Sequence, residues 1–414
     1  MNPPLPANTT ERISPATAGR VGRRDFLGTL GLGSLGAAWA GSALWSGRGA
    51  DLREQARPWE PVSDRKVRVG IVGYGVCRFG ADFGFQDHPN VEIVAVSDLF
   101  PDRRAGLMKA CRCDRSYESL ELLVKDPKIE AVFVATDAPS HARHCIEVLK
   151  HGKHVMCAVP ATWGSIEEGE ELLATVRATG LKYMMAETSC YHASCHAMRT
   201  IYRAGGFGKL VYSEGEYYHY TTEPIASYRN WRVGGPPLWY PTHSTAFYVG
   251  VTGQRFTSVS CLGFRGTRPQ HQPGGNAYGN PFADEIALFE TTEGGVSRML
   301  MSGSVARHVE ETGRVFGERG RMAGMQYWGE MEEQLPDISR PPLPPGVPAG
   351  GHGGSHGPLM NEFITAILQD RSPLVDIYES LAMTIPGIVA HTSALKAGER
   401  LKIPQYDRTA NASK

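Results

Sequence analysis

Two pairs of tyrosine and histidine residues have a spacing that suits acid–base chemistry. Tyr217 and His219 are two residues apart in a segment of strand composition, so both side chains would point to one face of a sheet. Tyr240 and His243 are three residues apart and would share a helix face if Pro241 begins a helix. A phenol held beside an imidazole can take and return protons. An aromatic strand at the protein surface is the alternative interpretation of the first pair.

Residues 66–98 have the pattern of a unit that binds a dinucleotide. An apolar run, residues 67–72, predicts a strand that is buried on both faces. A glycine-containing turn follows at once and consists of Gly73, Tyr74, Gly75, Val76 and Cys77. Glycine lets the chain turn tightly and lets its backbone approach a pyrophosphate, which then lies at the N-terminus of the following helix.

The match to the G-x-G-x-x-G motif is incomplete, because Arg78 occupies the third glycine position and Gly80 comes two residues later. Asp98 closes the second buried strand, where an acidic residue can bind the ribose diol. Leu99 and Phe100 follow it in place of a basic residue, so the sequence favours NAD over NADP. A strand turn without a nucleotide is the alternative interpretation.

The alternation of strand and helix patterns over residues 65–187 predicts an α/β protein with a doubly wound, parallel Rossmann sheet. Thr136 and Pro139 lie in a turn after the third buried strand, and His141 follows in the next helix. Ligands bind at this edge of open α/β sheets. Residues 188–414 predict an α+β domain on a mostly antiparallel or mixed open sheet, whose strand candidates are residues 210–220, 256–264, 285–291, 296–304 and 313–317.

Residues 1–45 have the features of an export signal. Arg23 and Arg24 begin a twin-arginine pattern, and a weakly apolar, glycine-rich stretch follows at residues 27–45. An uncleaved membrane anchor is the alternative, although the glycines and serines make this stretch a poor bilayer span. We expect the twin-arginine machinery to export the protein to the periplasm or beyond, with residues 46–64 as a linker.

The charge balance and the cysteines exclude some classes of partner and cofactor. Lys and Arg number 43, as do Asp and Glu, so nothing in the charge suggests a nucleic acid as partner. A protein that folds before export forms its core under reducing conditions, so we expect few or no disulfides among the eight cysteines. Cys190, His192, Cys195 and His196 resemble a zinc cluster, but no second spaced pair is evident, and we expect no metal.

The chain resembles the Gfo/Idh/MocA oxidoreductase family over roughly residues 66–404. The resemblance rests on VGYG with Asp98, on TDAPSHARHCIEVLKHGKHV at residues 136–155, and on the change to a sheet domain after Glu187. In that family the string after GKHV reads E-K-P, and its lysine contacts nicotinamide and substrate. Val159 stands in place of the lysine here. The resemblance implies cofactor contacts from the glycine turn and from Asp98, Thr136, Pro139, His141, Val159 and Glu187.

A closer resemblance is to glycoside hydrolase family 109, whose members also lack that lysine. The matching strings are YYH at residues 217–219, YPTH at residues 240–243 and HGGSHGPLMNEF at residues 352–363. Those enzymes keep NAD bound, oxidise a sugar hydroxyl transiently, eliminate the glycosidic group, add water and reduce the product. The resemblance implies catalytic roles for Tyr217, His219, Tyr240 and His243. We expect Tyr191 and His352 to contact the substrate.

These patterns together predict an enzyme with tightly held NAD that acts on a carbohydrate and forms a homo-oligomer. Net glycoside cleavage is the favoured reaction, because an exported enzyme has no soluble nicotinamide pool to renew its cofactor. A sugar dehydrogenase or a sugar–sugar oxidoreductase is the first alternative. A sugar-binding protein without catalytic activity is the second.

Overall fold

The computed structural model describes residues 49–408, and the predicted export signal lies outside them. The described strands are β1 (Ala50–Asp51), β2 (Val67–Val72), β3 (Val91–Ser97), β4 (Ser116–Tyr117), β5 (Ala131–Val134), β6 (His154–Cys157), β7 (Tyr183–Met185), β8 (Leu210–His219), β9 (Phe256–Arg265), β10 (Phe282–Thr291), β11 (Val296–Ser302), β12 (Val309–Gly317), β13 (Gly320–Ala323), β14 (Gln326–Gly329) and β15 (Leu401–Lys402).

The described α-helices are α1 (Phe79–Asp82), α2 (Pro101–Cys111), α3 (Leu120–Leu123), α4 (His141–Lys150), α5 (Ile166–Thr179), α6 (Ala193–Arg203), α7 (Thr242–Thr245), α8 (Val249–Thr252), α9 (Gly351–Gly354), α10 (His356–Leu368) and α11 (Ile377–Leu395). Short 3₁₀ turns lie at Phe85–Asp87, Ala138–Ser140, Thr188–Tyr191, Tyr228–Asn230, Pro237–Trp239 and Pro269–His271. No helix in this part of the chain has both the length and the apolar character needed to cross a bilayer.

The first sheet is parallel and has six strands in the order β4-β3-β2-β5-β6-β7. All four residues of β5 are buried, as are five of the six in β2, because helices cover both faces of the sheet. The order of strands reverses at β2, and the crevice beside its carboxyl end is where ligands bind in such sheets. The predicted Rossmann architecture is confirmed.

The second sheet is mixed and has nine strands in the order β1-β14-β13-β12-β8-β11-β10-β9-β15. The pair β8–β11 is parallel, whereas the other neighbouring strands are antiparallel. Tyr217 on β8 is paired with Met301 on β11 and with Glu311 on β12. These three side chains therefore share the inner face of the sheet, and the predicted mixed sheet is confirmed.

Three segments differ from the sequence prediction. The helix after the glycine turn has only four residues; Arg78 immediately before it and Gly84, two residues past its end, both adopt left-handed backbone conformations. The strand predicted at residues 313–317 begins at Val309, so Glu311 lies inside it. Ala50, within the predicted linker, pairs with Tyr327 of β14. A two-residue edge strand relies on backbone hydrogen bonds and is too short to show a side-chain pattern.

Candidate active site

A cavity of about 540 Å³ lies at the carboxyl edge of the parallel sheet. Ten of the residues predicted to bind the cofactor line it, namely Gly73, Tyr74, Gly75, Val76, Cys77, Asp98, Thr136, Pro139, His141 and Val159. The opposite wall comes from the segment between β8 and α7, with Tyr228, Trp231, Arg232 and Tyr240. The volume lies in the range of cofactor and ligand sites.

The glycine turn has the shape that a pyrophosphate requires. Gly73 has φ +101°, and a Cβ added there would lie 2.2 Å from the carbonyl oxygen of Ala135, so only glycine fits. A Cβ on Gly75 would meet no protein atom within 4 Å, which leaves its backbone open to a ligand. A Cβ on Gly80 would lie 2.4 Å from the carbonyl oxygen of Gly73. Gly80 therefore provides the close helix–strand contact usually supplied by the third glycine of the motif.

Asp98, which follows the neighbouring strand β3, holds this turn by a hydrogen bond. Its Oδ2 accepts a hydrogen bond from the backbone N–H of Tyr74 at 2.7 Å, and its Oδ1 accepts one from the N–H of Phe100 at 2.9 Å. The carboxylate is largely buried but lines the cavity. Arg103 also lines the cavity, with its guanidinium 4.5 Å from the centre of the Phe100 ring. The residues present therefore fit a bound dinucleotide.

The two predicted Tyr/His pairs meet beside the cavity. The ring centre of Tyr217 lies 5.4 Å from that of His219, 4.6 Å from that of His243 and 6.2 Å from that of Tyr240. The rings of Tyr240 and His243 are 5.3 Å apart, and Tyr240 itself lines the cavity. We call Tyr217, His219, Tyr240 and His243 the ring cluster. Two residues of β8, one residue of α7 and Tyr240, which precedes that helix, therefore form a single group of phenols and imidazoles.

A close contact between β8 and α7 brings the two pairs together. A Cβ on Gly215 of β8 would lie 1.9 Å from the carbonyl oxygen of Ser244, so the missing side chain lets the helix pack directly on the strand. Pro241 stands immediately before α7, where its fixed φ suits a helix start, and the helix itself is a single turn. The helix places the His243 ring against that of Tyr217 on the sheet.

Two carboxylates that are remote in sequence flank His243. Nδ1 of His243 lies 2.8 Å from Glu187 Oε1 and 3.7 Å from Glu311 Oε2. Glu187 is fully buried, and it also accepts a hydrogen bond from the backbone N–H of Ser189 at 2.9 Å. The Ser189 hydroxyl donates to Glu311 Oε2 at 2.8 Å. Glu187, predicted as a cofactor contact, thus lies against His243, outside the lining of the cavity.

The surroundings of His243 and His219 shift their pKa values in opposite directions. Burial disfavours the charged form of His243, but Glu187 and Glu311 outweigh burial and raise its pKa to about 9. Burial lowers the pKa of His219, which is neutral near pH 7. Burial also raises the pKa of both phenols, Tyr217 and Tyr240, so that they keep their protons. The cluster therefore holds both an acceptor and donors of protons.

Arg232 and a second cavity were not foreseen from the sequence. The Arg232 guanidinium lies 4.0 Å from the Cys77 sulfur, and the residue lines both the large cavity and a neighbouring one of about 180 Å³. His219 also lines the smaller cavity. The segment around Arg232 has no periodic pattern, so only its closeness to the cluster reveals it. Val159, in the position of the missing lysine, lines the large cavity and offers no charge.

The two predicted substrate contacts have different surroundings. His352 lies with its ring 6.2 Å from that of His243 and 5.7 Å from that of Phe79, a residue that lines the large cavity. Tyr191 is buried, and this burial together with the charge of Glu362 raises the pKa of its phenol. Such an environment is typical of a residue that packs in the core. Neither residue lines the two cavities, but His352 lies close to the ring cluster, whereas Tyr191 is packed in the core; both substrate contacts stay predictions.

The Cys/His segment considered as a zinc site brings the Cys190 and Cys195 thiols together, but its two histidines face other residues. The Cys195 thiol points to the carbonyl oxygen of Ala246, and the Cys190 sulfur lies 3.9 Å from that of Met383. His192 turns away from both, towards Glu311. All eight cysteines lie in the described region and are free thiols.

Known proteins resemble this chain in sequence and in fold. Residues 67–187 match the Gfo/Idh/MocA family, an oxidoreductase family with an NAD-binding Rossmann fold. A glycosyl hydrolase family 109 protein of Solibacter usitatus is 25% identical, over 94% of this chain and 98% of that protein. A glycosyl hydrolase family 109 protein 1 of Bacteroides fragilis is 32% identical, over 40% of this chain and 38% of that protein.

A solved structure of levoglucosan dehydrogenase, in complex with NADH and levoglucosan, covers 82% of this chain and 100% of its own. It superposes with a TM-score of 0.67 at 15% sequence identity, so it establishes the fold and nothing finer. The parallel sheet, the glycine turn and the cavity agree with the family match. Over residues 67–187 the fold of the chain is therefore similar to the NAD-binding Rossmann fold of the Gfo/Idh/MocA oxidoreductases.

Proposed function

We propose that the protein is an enzyme with tightly held NAD that cleaves a glycoside through transient oxidation of a sugar hydroxyl. The ring cluster carries this proposal, because one of its members, Tyr240, lines the large cavity where the nucleotide would bind. Val159 also lines this cavity and leaves the position of the usual lysine uncharged. Proton transfer then has to come from phenols and imidazoles. The resemblance to family 109 proteins over most of the chain supports the same reaction.

The proposed roles follow from the protonation states. Bound NAD would supply the hydride acceptor. His219 is neutral because burial lowers its pKa, so its ring can accept the proton of the reacting hydroxyl. The phenols of Tyr217 and Tyr240 retain their protons and can donate hydrogen bonds to a developing ketone oxygen. Oxidation acidifies the adjacent C–H bond, and loss of that proton with departure of the glycosidic group leaves a carbon–carbon double bond. Addition of water to this bond and return of the hydride to the ketone complete a hydrolysis with no net oxidation, without a carboxylate pair.

The wall opposite the glycine turn supports retention of the cofactor. Tyr228 lines the cavity, and its ring lies 6.2 Å from that of Phe100, which follows Asp98 on the other wall. Contacts across the cavity would slow the release of a bound nucleotide. Retention suits a reaction with no net oxidation, and we propose NAD rather than NADP because Leu99 and Phe100 follow Asp98. Export by the twin-arginine pathway remains part of this proposal.

A sugar dehydrogenase is the second candidate, favoured by one observation. Arg232 lies beside the ring cluster and could replace the charge of the missing lysine. The fold is also that of levoglucosan dehydrogenase, whose solved complex contains NADH and a sugar.

An assay without added cofactor separates the candidates. Purified protein is incubated with a panel of aryl glycosides in deuterated water. We expect repeated release of the aglycone, together with deuterium at the carbon beside the oxidised position of the sugar. Formation of one ketone per bound NAD, with the absorbance of NADH, would identify a dehydrogenase instead. Binding of sugars with neither change would leave a non-catalytic sugar-binding protein.

A further inference from the structure

A cluster of imidazoles and carboxylates lies next to the ring cluster and is built from four separate segments. Glu187 precedes the 3₁₀ turn Thr188–Tyr191, and His192 follows that turn. His243 belongs to α7, Glu311 to β12 and His352 to α9. Ligand atoms of Glu187, His243 and Glu311 all lie within 4.8 Å of one another. From this geometry we propose that Glu187, His243 and Glu311 bind one divalent transition-metal ion, and that His192 and His352, which both face Glu311, complete its ligand set.

The donor atoms of Glu187, His243 and Glu311 are close enough for a common ion, and His192 and His352 each face Glu311. Glu311 is central, with Oε2 3.4 Å from His192 Nε2 and 3.7 Å from His243 Nδ1, and with Oε1 3.8 Å from His352 Nε2. Glu187 Oε1 completes the set, 2.8 Å from His243 Nδ1. Nitrogen and oxygen ligands bind such ions at about 2.0–2.2 Å, so neighbouring ligands on one ion lie roughly 3 Å apart.

In the described part of the chain, only the cluster's own histidines compensate its two carboxylates, Glu187 and Glu311. Glu187 is fully buried, yet its Oε2 has no hydrogen-bond partner, and Nε2 of His192 is also buried without one. An unsatisfied buried polar group costs about 1–3 kcal/mol. A divalent cation would compensate the negative charge of the two carboxylates, and it would also give Glu187 Oε2 and His192 Nε2 a partner.

Surrounding side chains orient the ligands as they do in metal sites. The Ser189 hydroxyl donates to Glu311 Oε2, and Thr188 Oγ1 lies 3.3 Å from the same atom. Nδ1 of His352 lies 2.9 Å from Nε2 of His356, which leaves the other nitrogen of His352 facing Glu311. Such outer contacts set the ring orientation and the tautomer of histidine ligands.

The donor set indicates the class of metal. Three imidazoles and two carboxylates, with no thiolate, suit Zn²⁺, Mn²⁺ or Fe²⁺ better than Ca²⁺ or Mg²⁺, which prefer oxygen ligands. The sequence by itself led us to expect no metal, because no second spaced pair of ligands is evident; the ligands proposed here come from four separate segments.

The role of the ion rests on the proposed function. His243 places it beside Tyr217 and Tyr240, at the edge of the nucleotide cavity. There the ion would bind oxygen atoms of the sugar and polarise the hydroxyl or ketone oxygen. It would thus take over the contact with the substrate that the family's lysine makes, since Val159 stands in that position here. Metal binding itself depends on the five ligands alone.

Metal analysis of purified protein tests the site directly. Wild type, Glu311→Gln and Glu310→Gln are produced in medium supplemented with Zn²⁺ and Mn²⁺, purified without chelators and analysed by mass spectrometry of the elements. Glu310 is the matched control, since it is exposed and pairs with His308. We expect about one ion per chain in wild type and Glu310→Gln, and at least about tenfold less in Glu311→Gln.

Cobalt provides a spectroscopic check. Chelator-treated wild type titrated with Co²⁺ should develop visible absorption bands that saturate near one equivalent, and Glu311→Gln should not. If Glu311→Gln fails to fold, His192→Gln replaces it. A metal-free wild type that also gives no Co²⁺ spectrum would show that the cluster is only a buried ion-pair network. Co-purified NAD, measured in the same samples, reports on the proposed function separately, because a metal-free protein can still retain NAD.

Discussion

At the scale of single residues, Tyr217 and Tyr218 form a matched pair. They are adjacent on β8, so their side chains point to opposite faces, Tyr217 into the ring cluster and Tyr218 against His308 on the outer face. We expect Tyr217→Phe to lower turnover by roughly 10²–10⁴-fold with NAD still bound, because a group that transfers protons or binds a developing charge contributes about that factor. Steady-state kinetics and the NAD content of each variant measure the effect.

Tyr218→Phe is the control for this substitution, since it removes the same hydroxyl from the same strand on the other face. Its turnover should stay within about twofold of wild type, because surface substitutions have small effects. Equal turnover in both variants would exclude a catalytic role for the Tyr217 hydroxyl.

The pH dependence of turnover reports on His219. A base must be neutral to accept a proton, so activity falls as the pH drops through its pKa. Burial lowers that pKa from the ordinary value of 6.5, so we expect the acid limb of kcat/KM to lie below pH 6.5. The His219→Asn variant should lose this limb along with most of its activity. An acid limb that keeps its position in the variant would assign the base to another residue.

At the scale of elements, two glycines of the strand–turn–helix unit have different roles: we expect Gly75 to matter for NAD binding and Gly80 for folding. Gly75→Ala adds a methyl group into open space, so the protein should fold with an unchanged melting temperature but retain less NAD. Gly80→Ala drives a methyl group against the carbonyl oxygen of Gly73, which should lower the free energy of unfolding by about 1–3 kcal/mol. Thermal unfolding and NAD content measure the two effects. Gly75→Ala protein that retains NAD fully would contradict the assignment of the pyrophosphate site.

At the scale of the whole molecule, the outer face of the nine-stranded sheet bears exposed apolar residues. Leu262 and Ile286 are paired across β9 and β10, Leu288 follows on the same face, and all three are about half exposed or more. Exposed apolar clusters of this kind occur at protein interfaces. We therefore propose that the predicted homo-oligomer forms through this face. Light scattering should show an oligomer for wild type and a smaller species for Ile286→Lys.

Lys402→Ala, on the edge strand β15, is the control, since it changes an exposed residue outside this apolar group. A monomeric wild type at micromolar concentration would contradict the proposal, and so would an Ile286→Lys variant of unchanged mass.

Local patterns in the sequence were sufficient to predict much of this protein. The buried run at residues 67–72, the glycine turn and Asp98 predicted the nucleotide cavity, because each feature depends on residues close together in the chain. The spacing of Tyr217 and His219 predicted that both side chains share a face, since that follows from the period of one strand. The shared helix face predicted for Tyr240 and His243 is wrong, because α7 begins at Thr242 and Tyr240 precedes it, although the two rings still lie close together. The alternation of strands and helices likewise predicted the parallel sheet.

Only the tertiary structure decided which partners these groups have. Glu311 follows another glutamate in the chain, a pattern typical of an exposed segment, yet β12 places it beside Tyr217 on the inner face. A carboxylate can be buried only where remote residues compensate its charge, and here His192, His243 and His352 come from three other segments. Contacts between distant segments leave no periodic signal in the sequence, so the carboxylate–histidine cluster could be recognised only once the chain was folded.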